Sequence, residues 1–218
     1  MFLKRFADAA AYPVWRFRTK SGAEETALPV VVSTETKVCG KFTVTKTEYA
    51  VSGGRATRVL ITDGQQIAVV VDRLSLTEPR SVYTTFSAPQ EKDLTCNVAN
   101  RSRLVLRSAE RGAKLFRLWQ TVDGADGMDS AGLLLPDGFS DGAIRLAFYS
   151  GLYSFGRDHL SVFGLAEEQS DKVKGWHMEQ GEGIEITAPD KSCRLRLLVD
   201  GNTVTVIDPL TNACIPLL

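Results

Sequence analysis

Six cations crowd one short stretch of the chain. Arg101, Arg103, Arg107, Arg111, Lys114 and Arg117 are opposed within it only by Glu110. A guanidinium grips a carboxylate or sulfate through parallel N–H donors. In extended chain, side chains repeat on one face every second residue, so Arg101 and Arg103 share a face. The stretch reads as a local site for an anionic polymer, or as a solvated outer face whose arginines keep strand edges from aggregating. A second group is Tyr149, Tyr153, Arg157 and His159. A Tyr or His base beside an Arg is what β-elimination from a uronic acid requires. The base removes the proton next to the carboxylate, and the cation stabilises the charge that develops. Tyr153, Arg157 and His159 are the catalytic candidates on that reading. Packing and hydrogen bonding at strand ends is the other use of such residues.

Other chemistries lack their residues. Cys39, Cys96, Cys193 and Cys214 form no C-x-x-C pair, and two histidines cannot complete a zinc site with them. Cys39, Cys96 and Cys193 lie in apolar or strand-like contexts and read as small buried thiols. No G-x-G-x-x-G, P-loop or G-x-S-x-G is present. No cofactor and no metal is expected. Residues 121–142 carry Asp123, Asp126, Asp129, Asp137 and Asp141 among glycines, without a Lys or Arg. Calcium favours several carboxylate oxygens, but these aspartates do not follow the EF-hand spacing. A long solvated connector with a short strand at residues 133–135 is the simpler reading.

The elements that must position these groups are strands. Period-two alternation covers residues 14–19, 41–50, 58–62, 66–73, 81–86, 94–98, 103–107 and 114–120. After a break it resumes at 143–149, 160–165, 183–187, 193–199 and 203–207. Asp63-Gly64 reads as a type I′ hairpin centre, and Asp200-Gly201-Asn202 as a second hairpin. Helical periodicity is confined to residues 3–11 and 165–173. The expectation is an all-β fold, an antiparallel β-sandwich of about 13–14 strands with minimal helix. Residues 1–13 form a short N-terminal helix or leader. Residues 14–218 form a single sandwich domain, with the acidic, Gly-rich loop at 121–142.

Composition bounds the function. Lys plus Arg and Asp plus Glu both total 26, so the formal net charge is zero. A globally basic nucleic-acid binder is excluded, because its affinity comes from excess cations. The neutrality is a sum over segregated charge, with the cations of residues 101–117 offset partly by the aspartates of 121–142. The longest purely apolar run, residues 67–71, is far short of the roughly 18 residues of a membrane span. Charges interrupt the N-terminus, so it has no signal-peptide core.

A series of short motifs carries a resemblance. Glu25-Thr26-Ala27-Leu28-Pro29, Gly40-Lys41-Phe42-Thr43-Val44, Arg58-Val59-Leu60-Ile61, Val71-Asp72-Arg73-Leu74 and Tyr83-Thr84-Thr85-Phe86 follow one another. In this order they resemble the C-terminal β-sheet region of heparinase II/III-like polysaccharide lyases. Residues 150–156 and 159–165 look like that family's last sandwich strands. The resemblance implies stacked antiparallel sheets following an α/α-toroid, and lyase action on acidic polysaccharides. This chain holds no toroid. Glu25, Thr26 and Ala27 stand where a metal-binding His precedes the Leu-Pro pair, and Phe86 and Ser87 where many members carry His. No catalytic or metal residue therefore transfers.

Two functions follow. One is a β-sandwich that contacts an anionic polysaccharide without a complete active site. The other is a structural or assembly protein, such as a virion or appendage subunit, acting through protein–protein contacts or as a homo-oligomer.

Overall fold

A computed structural model describes residues 14–27, 29–89, 95–100, 103–107, 111–126, 133–134, 143–149, 155–169, 171–180, 183–200 and 203–218. The chain begins with β1 (Val14–Arg18) and β2 (Glu24–Ala27), a hairpin. A meander follows: β3 (Val30–Cys39), β4 (Phe42–Val51), β5 (Gly54–Thr62) and β6 (Ile67–Pro89). Next come β7 (Thr95–Asn100), β8 (Arg103–Arg107), β9 (Arg111–Val122), β10 (Ala125–Asp126), β11 (Leu133–Leu134), β12 (Ala143–Tyr149) and β13 (Gly156–Gln169). These thirteen form one antiparallel sheet with the path β3-β4-β5-β6-β13-β9-β8-β7, while β1 and β12 pair with the far half of β6. The chain then builds a second sheet in simple order from β14 (His177–Gln180), β15 (Ile184–Thr187), β16 (Arg194–Asp200), β17 (Thr203–Asp208) and β18 (Ala213–Pro216).

Alternation explains why the two sheets stack. Val59 and Ile61 of β5, Val69 and Val71 of β6, and Leu160 and Val162 of β13 project from one face. They meet Ile184, Ile186, Leu195, Leu197, Val204 and Val206 of the small sheet. Each such side chain removed from water contributes about 1.5–3 kcal/mol before the chain-entropy cost. Trp176 closes this core, and buried Lys114 donates from Nζ to its carbonyl at 3.0 Å. A second cluster forms on the reverse face of β4–β6. There Trp15 and Phe17 of β1 pack on Tyr49, Ala56, Leu74 and Leu76.

The all-β, antiparallel expectation holds, with more strands than the pattern suggested: β2, β10, β14 and β18 are too short to show a period, and β3, exposed along nine of its ten residues, has no apolar alternation to show. The expected extra strand near residue 133 is there, with Leu133 opposite Phe148 and Leu134 opposite Ala147. The hairpin at Asp200-Gly201-Asn202 is bounded by the pair Asp200–Thr203. Three expectations need correction. Residues 165–169 are not helical but finish β13, where Leu165 and Ala166 are buried between β6 and β9. Among the described residues that follow, a 3₁₀ turn at Val173–Gly175 is the only helical one. Asp63-Gly64 does not centre a two-residue turn. The Asp63 carboxylate instead accepts N–H bonds from Gln65, Gln66 and Ile67 at 2.8–3.0 Å, which rounds a wider loop. The patterns at 66–73 and 81–86 belong to one strand, β6, which runs through Pro79. Residues 77–79 have no ladder partner, so the missing N–H of Pro79 costs no sheet hydrogen bond. The expected N-terminal helix or leader at 1–13 lies outside the described residues.

Candidate functional site

The small sheet covers only part of the large sheet's inner face. Along β5, the residues on that face run Arg55, Thr57, Val59, Ile61, and along β6 they run Val69, Val71, Arg73, Ser75. On both strands the apolar half lies beneath the small sheet and the polar half does not. The register aligns these halves. Glu48 pairs with Thr57, and Thr57 with Arg73; Ala50 pairs with Arg55, and Arg55 with Ser75. The result is a polar shelf beside the core.

A groove of about 500 Å³ lies on this shelf, lined by Val32, Glu48, Ala50, Arg55, Thr57, Arg73 and Ser75, among others. Arg55 and Arg73 are diagonal neighbours on adjacent strands, and such neighbours sit within reach of each other's long side chains. Among the described residues, neither guanidinium makes a hydrogen bond or an ion pair. Glu48 accepts from the Ser33 hydroxyl at 3.0 Å and lies 3.8 Å from Lys46. The Ser75 hydroxyl donates to Asp158 at 2.6 Å, which carries the polar surface onto β13. Arg73 also borders a recess of about 10 Å³ with Thr121, Asp158 and Leu160, room for a single water. Two cations with free donors, two hydroxyls and the apolar Val32 and Ala50 make a surface suited to an anionic, hydroxyl-rich ligand.

The cationic stretch is divided by the sheet. Positions 103, 105 and 107 lie opposite Phe116, Lys114 and Gly112, so they share the face on which Phe116 enters the core. Arg111 and Arg117 alternate with Lys114 and Phe116, and pair with Gln169 and Phe163 of β13. Arg111 is exposed and Arg107 half-buried. Lys114 is drawn inside, with its ammonium on the Trp176 carbonyl and 5.7 Å from the Phe116 ring centroid. Arg101 lies outside the described residues.

The Tyr/Arg/His group is only partly described. Tyr149 ends β12, opposite Tyr83, and Tyr153 lies outside the described residues. Arg157 is exposed, while His159 is 2% exposed. The His159 Nε2–H donates to the Gly156 carbonyl at 2.9 Å, which holds the ring against its own strand. Asp123, in the acidic stretch, accepts the N–H groups of Arg157 and Asp158 at 2.8 and 2.9 Å. These bonds hold its carboxyl below the usual carboxylate range. Among the described residues no three His, Cys, Asp or Glu side chains gather as a metal-binding group.

Burial pushes the His159 pKa down, and the Gly156 and Arg80 carbonyls and the Asp123 and Asp158 carboxylates oppose this only in part. The sign of the pH effect follows. Above about pH 6.5 the ring is neutral in both folded and unfolded chains. Below that value the unfolded chain takes up a proton that the folded chain refuses until its own lower pKa. Stability therefore falls as pH drops from about 6.5 toward that value. Urea midpoints measured from pH 7.5 to 5 should decline for the native chain and flatten for His159→Gln. An equal slope in both proteins would refute this role.

The sequence matches no family model and no curated protein. The fold matches solved structures. The heparan sulfate lyase HepC from Pedobacter heparinus superimposes with a TM-score of 0.57 at 9% identity, over 78% of this chain and 28% of that one. The heparinase III BT4657 gene product superimposes with a TM-score of 0.53 at 12% identity, over 77% of this chain and 28% of that one. The chain thus spans under a third of the length of the lyases it matches. The paired antiparallel sheets described above resemble the β-sheet architecture of heparinase-type lyases.

Proposed function

We propose that this chain is a β-sheet domain that contacts an anionic polysaccharide without a complete active site of its own, and that the contact is the groove between β4 and β6. The observation that carries the reading is the pair Arg55 and Arg73, two accessible guanidiniums on adjacent strands with no protein counter-ion among the described residues. Like charges placed so close repel, and a bound carboxylate or sulfate would relieve that repulsion. The likeness to lyase β-sheets supports an acidic saccharide as the source of the anion. The β8–β9 hairpin, which carries positions 103 and 107 on one face and 111 and 117 on the other, is a second basic region that a long polymer could touch from either side.

Calorimetric titration with heparin- and alginate-derived oligosaccharides, with neutral dextran as control, tests the reading. The acidic oligosaccharides should bind and dextran should not. Affinity should fall as salt rises. Arg55→Ala and Arg73→Ala should each weaken binding about tenfold, the loss of roughly one charge-assisted contact. No binding at millimolar oligosaccharide would sink the proposal. Binding that survives both substitutions but is lost in Arg107→Ala/Arg111→Ala would move the contact to the second basic region.

A further inference from the structure

β3 is the edge of the large sheet. It pairs with β4 on one side and with no strand on the other among the described residues. Nine of its ten residues are exposed, and Val30, Val31, Val32 and Val38 are 56–70% exposed. An open row of backbone donors and acceptors flanked by valines is a template for another strand. Proteins commonly guard such edges with a bulge and a charged residue. β3 has both, a bulge between Val31 and Ser33 and the cation Lys37. Their placement determines which partner strand they admit.

The bulge confines regular geometry to residues 33–39, which run opposite residues 48–42 without interruption. The midpoint of that seven-residue stretch is Thr36. An antiparallel strand related by a two-fold axis at Thr36 would set Glu35 of each copy against Lys37 of the other. It would also set Thr34 against Val38. Within one chain, Glu35 and Lys37 already lie on the same face, with Nζ and Oε1 2.5 Å apart and both side chains 56% exposed. In the paired edge the four charges would alternate in sign around a square. The Thr34 and Thr36 hydroxyls meet Thr47 and Thr45 at 3.4 and 3.2 Å, which fixes the opposite face of the strand.

We propose that β3 is a homodimerisation edge, and that two copies of this chain join their large sheets antiparallel through residues 33–39 with Glu35 opposite Lys37. The charge pattern is self-complementary in that register alone among those centred on the regular stretch, so a second copy is the occupant it specifies. Seven residues on each side bury less than the roughly 800 Å² per partner of a standard interface, so the dimer is reversible in the micromolar range. The proposal does not depend on what the groove binds.

The test uses the whole chain and sedimentation equilibrium from about 1 to 500 μM, the range a small interface requires. The native protein should convert from monomer to dimer across it. E35K makes the edge wholly positive and K37E makes it wholly negative, so each variant alone should dissociate at least about tenfold more readily than the native protein. Both positions are exposed, so circular dichroism should show an unchanged fold. An equimolar mixture of E35K and K37E should restore the dimer, because every charge then faces its opposite. A native protein that stays monomeric throughout overturns the proposal. So does a native dimer that is indifferent to both substitutions, or a mixture that fails to recover.

Discussion

Arg58→Ala should destabilise the fold by about 3–5 kcal/mol, the usual cost of leaving one half of a buried ion pair behind. Arg58 and Asp72 face each other across β5 and β6, and their side chains are 2% and 0% exposed. Nε of Arg58 donates to one carboxylate oxygen at 2.6 Å and Nη2 to the other at 2.5 Å. The Trp15 indole N–H donates to the second oxygen at 3.1 Å, and the guanidinium lies 5.0 Å from the indole ring centroid. Trp15 in turn stands edge-on to Tyr49 at 5.6 Å. Alanine at 58 would leave the Asp72 carboxylate with the indole donor but without its counter-ion, inside a cluster of Phe17, Leu74 and Leu76. Asp72→Ala should cost a similar amount. The double substitution Arg58→Met/Asp72→Leu should regain most of the loss, because no charge then stays buried. Urea unfolding of the four proteins measures these losses, and adding Arg58→Ala/Asp72→Ala closes the cycle that gives the coupling. A loss below about 1 kcal/mol for Arg58→Ala would mean that water reaches Asp72, contrary to the packing.

This ion pair also bears on the groove. Arg58 adjoins Thr57, and Asp72 adjoins Arg73, on the opposite face of the same two strands. Pinning Arg58 to Asp72 therefore fixes the register that sets Arg55 opposite Ser75 and beside Arg73. A one-residue slip of β5 against β6 would turn Arg55 to the second core and away from Arg73. Asp72→Ala should accordingly weaken oligosaccharide binding even where the protein is still mostly folded.

The strands were legible because period-two alternation survives in β16 and β17, which have one face in the core, and within each half of β4 and β5, where the buried face switches from the first core to the second partway along. The order of short motifs also pointed to the architecture that the solved lyases share. The groove was harder to see. Its signal is a switch on one strand face from polar to apolar, from Arg55 and Thr57 to Val59 and Ile61. The switch acquires meaning only when β6 shows the mirror switch at the matching rows. Asp72 gave a plainer signal, a carboxylate following three valines in a row, which demands a buried partner. The cationic stretch looked like one site because its members are close in sequence. Alternation across the β8–β9 hairpin sends neighbouring members to opposite faces and draws Lys114 to the Trp176 carbonyl. Linear charge density does not record which side of a sheet a residue occupies.

Gly40→Ala should cost about 3 kcal/mol or more, far above the roughly 1–2 kcal/mol that a left-handed backbone alone imposes on alanine. Gly40 leads the two-residue turn between β3 and β4 at φ +60°, the position where a type II′ hairpin calls for glycine. A Cβ there would come within 2.1 Å of Asp208 Oδ2 and 2.5 Å of Thr211 Oγ1. Asp208 is fully buried at the end of β17, and its carboxylate accepts the N–H groups of Lys41 at 3.2 Å and Leu210 at 2.9 Å. Lys41 also donates from Nζ to the Ser192 carbonyl at 2.9 Å. The turn is thus a latch between the large sheet and the small one. Displacing Asp208 would sacrifice hydrogen bonds to a charged group, worth about 1.5–3 kcal/mol each. Gly64 is the control. It also has positive φ, at 74°, but its Cβ would meet nothing within 4 Å, so Gly64→Ala should cost only the backbone strain of about 1–2 kcal/mol. The Cys39 thiol supplies a local readout, since burial holds its pKa up and keeps it unreactive. In Gly40→Ala, alkylation of Cys39, followed by peptide mass spectrometry to separate it from exposed Cys214, should accelerate beyond its rate in Gly64→Ala. Equal losses of stability in the two glycine variants would show that the turn bears strain but no latch.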